Sequence, residues 1–301
     1  MKNIVNVYEA VDSNKRKSIL VMFFFTLFIV GFSYILVQAF DLGLSFLGWA
    51  LILSGVMSFA SYWWSDKIIL SISGARPADK KRDFHFYTVA ENMALASSLP
   101  MPKLYVIEDT ATNAFATGRD PAHGVVCATR GLLEKLDRTE LEGVIAHEMS
   151  HIGNYDMRLM SIVTILAGMV VLIADWALRF SIHSDSDRDN RVGAILLVVG
   201  FVLALLSPII AELIKLSISR RREFLADATA AKITRFPEGL ARALEKIAKD
   251  KEPLEAANKA TAHLYISNPL KNHHDAIGWF AGLFSTHPPV EERIKALRQM
   301  A

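Results

Sequence analysis

The chain has 301 residues, 52% of them hydrophobic, with a formal net charge of +2 and a mean hydropathy of +0.28. That apolar content is high for a soluble domain and puts the membrane class first, while so small a charge excess gives no ground for a nucleic-acid partner. One cysteine, Cys127, excludes an intramolecular disulfide, suits a reducing cytoplasm and reads as a small buried hydrophobe.

The first long apolar run covers residues 18–40 and carries no charge. It meets the roughly 20 residues a helix needs to cross a bilayer, and it lacks the short core and cleavage site of a secretory signal. A second run from Leu42 to Trp64 follows a tight turn at Asp41 and ends on an aromatic pair, Trp63 and Trp64. A strand is expected from Lys103 to Ile107, then TNAFATG at 112–118, then a strand from Val125 to Ala128. A third apolar run goes from Leu159 to Phe180, with Asp175 near its end, and a fourth from Val192 to about Ile218, with Glu212 and Lys215 near its exit. Lys and Arg flank the first pair of runs on one side only, at 15–17 and at Lys67, Arg76, Lys80, Lys81 and Arg82, and Arg220–Arg222 follow the fourth. The positive-inside rule then puts both termini in the cytoplasm. For the second pair, a buried hairpin that does not cross the membrane is the alternative.

The expected organisation is therefore an α+β membrane protein, mainly helical. Residues 1–65 form a two-span hairpin, 66–157 a first cytoplasmic part, 158–218 a second hairpin and 219–301 a second cytoplasmic part. Four transmembrane helices would carry a cytoplasmic domain with a small sheet. Each cytoplasmic part is short for its own core, so the two are expected to fold together.

The informative stretch is GVIAHEMSH at 143–151. His147 and His151 are four apart, so a helix offers both imidazoles to one ion, and Glu148 can take a proton from water beside them. Thr139 with Glu142 three residues on reads as a capping box, and Gly153 as the helix end. A catalytic zinc site takes three protein ligands. Glu223 in RRREFLADATAAKITR is the candidate third. If the last two runs are an antiparallel hairpin, the residues before one and after the other lie side by side. Asp227, one turn on, is suited to accept a hydrogen bond from a ligand imidazole. Glu212, with Lys215 to neutralise it, is the lesser candidate. His85, His123, His183, His273 and His274 read as surface histidines.

HEMSH, then REFLAD and THPPVEERI, resembles the HtpX family of bacterial membrane metallopeptidases, relatives of the prenyl-protein (CAAX) endopeptidases. The resemblance implies a zincin-like (gluzincin-type) fold, one Zn²⁺ on His147, His151 and Glu223, and Glu148 as the base. It implies endoproteolysis of misfolded or damaged inner-membrane proteins at the cytoplasmic face, as part of stress response and quality control overlapping with the membrane protease FtsH. It also implies an edge strand at Asn113, Ala114 and Phe115 that pairs with the substrate backbone. His287 resembles the family's carboxy-terminal histidine, a hydrogen-bond donor to the oxyanion, with Arg293 in support.

Overall fold

Sequence without proline from Val7 to Phe40 lets the first helix run on without a stop, and it is longer than the apolar run inside it. The computed structural model describes residues 7–40, 43–183, 197–203, 220–250, 252, 254, 261, 264–266 and 288–300. Helix α1 spans Val7–Phe40, so its polar first turns project beyond the apolar part. Helix α2 spans Ser45–Trp63 and α3 Ser65–Ile72. The expected turn at Asp41 lies outside the described residues.

Within these helices, Val11–Gln38 and Ser45–Trp63 are long and apolar enough to cross a membrane. Ile19, Phe23, Phe24, Leu27, Leu51, Ile52 and Phe59 are exposed, as lipid-facing side chains would be. Helices α1 and α2 pack together, with Thr26 of one 3.5 Å from Ser58 of the other, and the small residues Ser33, Ala50 and Ser54 on them are buried. Small side chains let two backbones approach where no water drives the contact.

The elements that follow are β1 (Arg76–Pro77), α4 (Phe84–Ser97), β2 (Lys103–Ile107), β3 (Ala114–Thr117), β4 (Val125–Thr129), α5 (Arg130–Lys135) and α6 (Arg138–Gly153). After these come α7 (Asp156–His183), α8 (Arg220–Thr234), α9 (Pro237–Lys249) and α10 (Val290–Arg298). The sheet order is β1-β2-β4-β3, with β2 and β4 parallel and both outer pairs antiparallel. Ala114 faces Ala128 and Thr117 faces Val125, which leaves β3 as an edge. The strands expected at 103–107 and 125–128 are both present.

Helix α6 packs against α4, β3, α8 and α9, so nearly every side chain from Leu141 to Ile152 is buried. Gly143 is needed for that packing, because a Cβ there would sit 2.7 Å from the Leu240 backbone of α9. The cap differs from expectation. Asp137, not Thr139, is the N-cap: its carboxylate accepts from Glu140 N–H, and Glu140 accepts in return from Asp137 N–H. Thr139 instead donates its hydroxyl to Asp137.

The third apolar run begins inside α7. Most of Leu159 to Val170 is buried against α1, α2, α3 and β3, so this half of the helix faces protein. Of the fourth run only 197–203 is described, and it is helical. Helix α7 runs on through 181–183, and the rest of the loop between the runs, with Glu212 and Lys215, lies outside the described residues.

Candidate metal centre

One turn of α6 separates His147 from His151, and both face the start of α8, where Glu223 lies. The two Nε2 atoms are 3.1 Å apart. Glu223 Oε2 is 3.8 Å from His147 Nε2, and its Oε1 is 3.5 Å from His151 Nε2. Zinc bonds of about 2.0–2.1 Å in a tetrahedron put neighbouring donors about 3.3 Å apart. The three side chains are buried, and their donor atoms all lie within 4.8 Å of one another. Burying two imidazoles nose to nose beside a carboxylate is costly unless something sits among them. The donor set fits a divalent ion.

Each imidazole is held from behind. His147 Nδ1 lies 3.0 Å from Asp227 Oδ1, the contact expected of a residue one turn past Glu223. His151 Nδ1 lies 3.0 Å from Asp156 Oδ2, at the first residue of α7. Both rings thereby turn Nε2 towards the shared point, where Arg293 Nη2 also comes within 3.4 Å of His147 Nε2. Sequence reasoning missed Asp156. Its signal, an acid five residues past a motif histidine, points nowhere by helical period, because a turn separates α6 from α7.

Arg293 is buried and forks onto Asp227, Nε to Oδ2 at 2.8 Å and Nη2 to Oδ1 at 2.7 Å, with Nη1 3.7 Å from Glu223 Oε2. Sequence reasoning expects Arg293 to support His287; among the described residues its carboxylate partners are Asp227 and, more distantly, Glu223. His287 itself lies outside the described residues.

These charges set the protonation of the site. Burial, partly offset by Asp227 and reinforced by Arg293, pushes His147 down to about 4. Burial opposes charge on His151 too, but the Asp156 hydrogen bond and the carboxylates of Glu223 and Glu148 outweigh it and raise His151 to about 9. On Asp227 burial is again the opposing cause, and Arg293 overcomes it and holds the carboxyl at about 2.

Glu148 is buried and lines a small cavity with His147, His151, Ala116, Met157, Met160, Leu264 and Ile266. Ala116 brings β3 to this cavity. Asn113 is buried, and its side-chain oxygen accepts from Ala114 N–H at 3.1 Å. Phe115 points to the other face of the strand and packs edge-on against Tyr265, 5.1 Å between centroids. The Ala114 carbonyl, on the open edge, accepts from Ile266 N–H at 2.9 Å. His85 and His123 are exposed, the latter bonded to Asp120. His273 and His274 lie outside the described residues, and Cys127 is buried in β4.

The model of peptidase family M48 matches residues 80–301, three-quarters of the chain and all of this site. The chain belongs to that family. It is 45% identical over 293 residues to a protein named Protease HtpX homolog from Dictyoglomus thermophilum, covering 97% of this chain and 94% of the relative. It is 43% identical over 299 residues to the one from Caldanaerobacter subterraneus subsp. tengcongensis, covering 98% of each. It is 44% identical to that of Tropheryma whipplei strain Twist, again over 98% of each. The resemblance carried by HEMSH, REFLAD and THPPVEERI is borne out. Among solved structures, the crystal structure of S. mikatae Ste24p is similar at a TM-score of 0.48 and 18% identity, covering 96% of this chain and 67% of that one. This M48 chain is a metallopeptidase, and its HtpX relatives, together with two helices long and apolar enough to cross a membrane, support a membrane one.

Proposed function

We propose that the protein is an integral inner-membrane zinc endopeptidase that cleaves misfolded or damaged membrane proteins at the cytoplasmic face. One observation carries the reading: three buried donors converge, each imidazole is backed by a carboxylate, and Glu148 stands in the same cavity. His147, His151 and Glu223 hold the ion, and Asp227 orients His147. A zinc ion, when bound, supplies a Lewis acid that polarises the scissile carbonyl and acidifies water. Glu148 accepts the proton from the attacking water and passes it to the leaving amine. His287 is the proposed donor to the oxyanion.

The open edge of β3, from Asn113 through Ala114 and Phe115, is the proposed register for the substrate backbone. Main-chain pairing is tolerant of side chains and suits unfolded proteins as substrates. Because Ile266 N–H already occupies the Ala114 carbonyl, a peptide pairing there displaces the 264–266 stretch. The basic flanks favour four spans with both termini and the site in the cytoplasm. The partners are the lipid bilayer and unfolded membrane proteins, with a functional link to FtsH.

The test is cleavage of unfolded casein in detergent, with and without chelator, by the parent and by Glu148→Gln. The variant should bind zinc and melt as the parent does, and lose about 10²–10⁴-fold in turnover. Normal turnover by Glu148→Gln would refute the assignment of the base.

A further inference from the structure

The polar start of α1 reaches the metal centre from the membrane side. Asn14 lies on this helix, on the turn just before the apolar run, yet it is 1% exposed. Its amide donates to Asp156 Oδ1 at 2.7 Å and to the Asn154 carbonyl at 2.9 Å. Its amide oxygen accepts from Arg222, which also donates to Asp156 Oδ1 at 3.0 Å. Every polar position of the Asn14 amide is thus used, and both oxygens of Asp156 are engaged, Oδ2 by the His151 ring. Arg222 immediately precedes Glu223. The network therefore ties α1, the α6–α7 turn and the start of α8 to one imidazole.

The turn itself adds to the case. Tyr155, between Asn154 and Asp156, has φ +59°, a left-handed backbone that a non-glycine residue adopts only under constraint. That bend aims Asp156 back at His151. Lys15, the neighbour of Asn14, lies over the Tyr155 ring at 4.5 Å, so α1 clamps the strained residue as well.

We propose that Asp156 is a positioning residue for His151 and that Asn14 of the membrane helix holds it in place, making α1 part of the metal centre. The two imidazoles are then braced differently. Asp227 and Arg293 fix His147 wholly within the M48 match, whereas His151 is fixed through a helix outside it. Metal affinity depends on how α1 is seated.

The inference rests on the reading of His147 and His151 as metal ligands, and the experiment separates the two. Full-length protein in detergent is compared as parent, Asn14→Ala, Asp156→Ala, the double variant, His147→Ala and His151→Ala. Zinc affinity is read by chelator competition, the Co²⁺-substituted site by its visible spectrum, and folding by thermal melting. Asp156→Ala should weaken zinc about 10–100-fold and Asn14→Ala about 10-fold, with altered cobalt bands. Asn14→Ala should cost little on top of Asp156→Ala, because both act through one contact. If Asp156→Ala does not fold, Asp156→Asn, which keeps an oxygen acceptor for His151, should give a smaller loss of the same kind. Folded Asn14 and Asp156 variants with parental zinc affinity and an unchanged cobalt spectrum would overturn the inference alone. Parental zinc binding by His147→Ala and His151→Ala would overturn the metal reading beneath it.

Discussion

Arg293→Met keeps much of the bulk of the side chain and removes a buried charge that forks onto both oxygens of Asp227. Asp227 is fully buried and retains the His147 imidazole as a partner. Stranding one member of a buried pair costs about 3–5 kcal/mol. The lost bond to the Ile266 carbonyl, 3.3 Å in the parent, adds at most about 1 kcal/mol. Together these come to about 3–6 kcal/mol, and at roughly 2–4 °C per kcal/mol the melting temperature should fall by about 6–24 °C. Adding Asp227→Leu removes the stranded charge. It should restore part of the loss, limited by the about 1–3 kcal/mol of an unpartnered His147 N–H. Zinc affinity should fall in both variants, since neither holds His147 by a paired carboxylate. The acid limb supplies the sign. Asp227 sits at about 2 in the fold, below its ordinary 3.8, so its pairing stabilises above about pH 4 and is lost as pH falls towards 2. That limb should shrink in Arg293→Met. Thermal melting in detergent from pH 2 to 7, with chelator competition at pH 7, measures all of this. A single variant melting within a degree or two of the parent, or a double variant melting below the single, refutes the reasoning.

Metal uptake should release about one proton, because His151 is charged below about 9 while His147 is neutral above about 4. Zinc affinity should fall about tenfold per pH unit as pH drops between those values, and calorimetry in buffers of different ionisation enthalpy would show it. Gly143→Ala pushes a methyl into the Leu240 backbone at 2.7–2.8 Å, and a loss of about 1–3 kcal/mol in urea unfolding is expected. Glu108, hydrogen-bonded chiefly by Arg130 and then Arg76, is held at about 2 against an ordinary 4.5. Its contribution is present above about pH 4.5 and fades as pH falls towards 2. Glu108→Gln should therefore flatten that part of the melting profile, and an unchanged profile would count against the cluster.

The substrate edge shows how sequence and fold divide the work. Asn113 and Ala114 could be placed at a strand start from their neighbours, but Ile266, which lies on that edge, is about 150 residues away. No local pattern encodes such a contact. The cap of α6 is a smaller case. Asp137 with Glu140 and Thr139 with Glu142 both satisfy the same spacing, so the pattern is degenerate. Glu140 is buried and bonded by Lys246 of α9 at 2.6 Å, and that tertiary contact favours the earlier start.

From residue order alone came the two apolar helices, the strands at 103–107 and 125–128, and the grouping of His147, His151, Glu223 and Asp227. These follow from helical and strand periods and from run length, which act over a few residues. Only the tertiary structure decided that Asp156 backs His151, that Arg293 forks onto Asp227 and that Asn14 reaches the site from the membrane helix. Those pairings join residues that share no period. They are chosen by the need of each buried polar group to find a partner once the helices have packed.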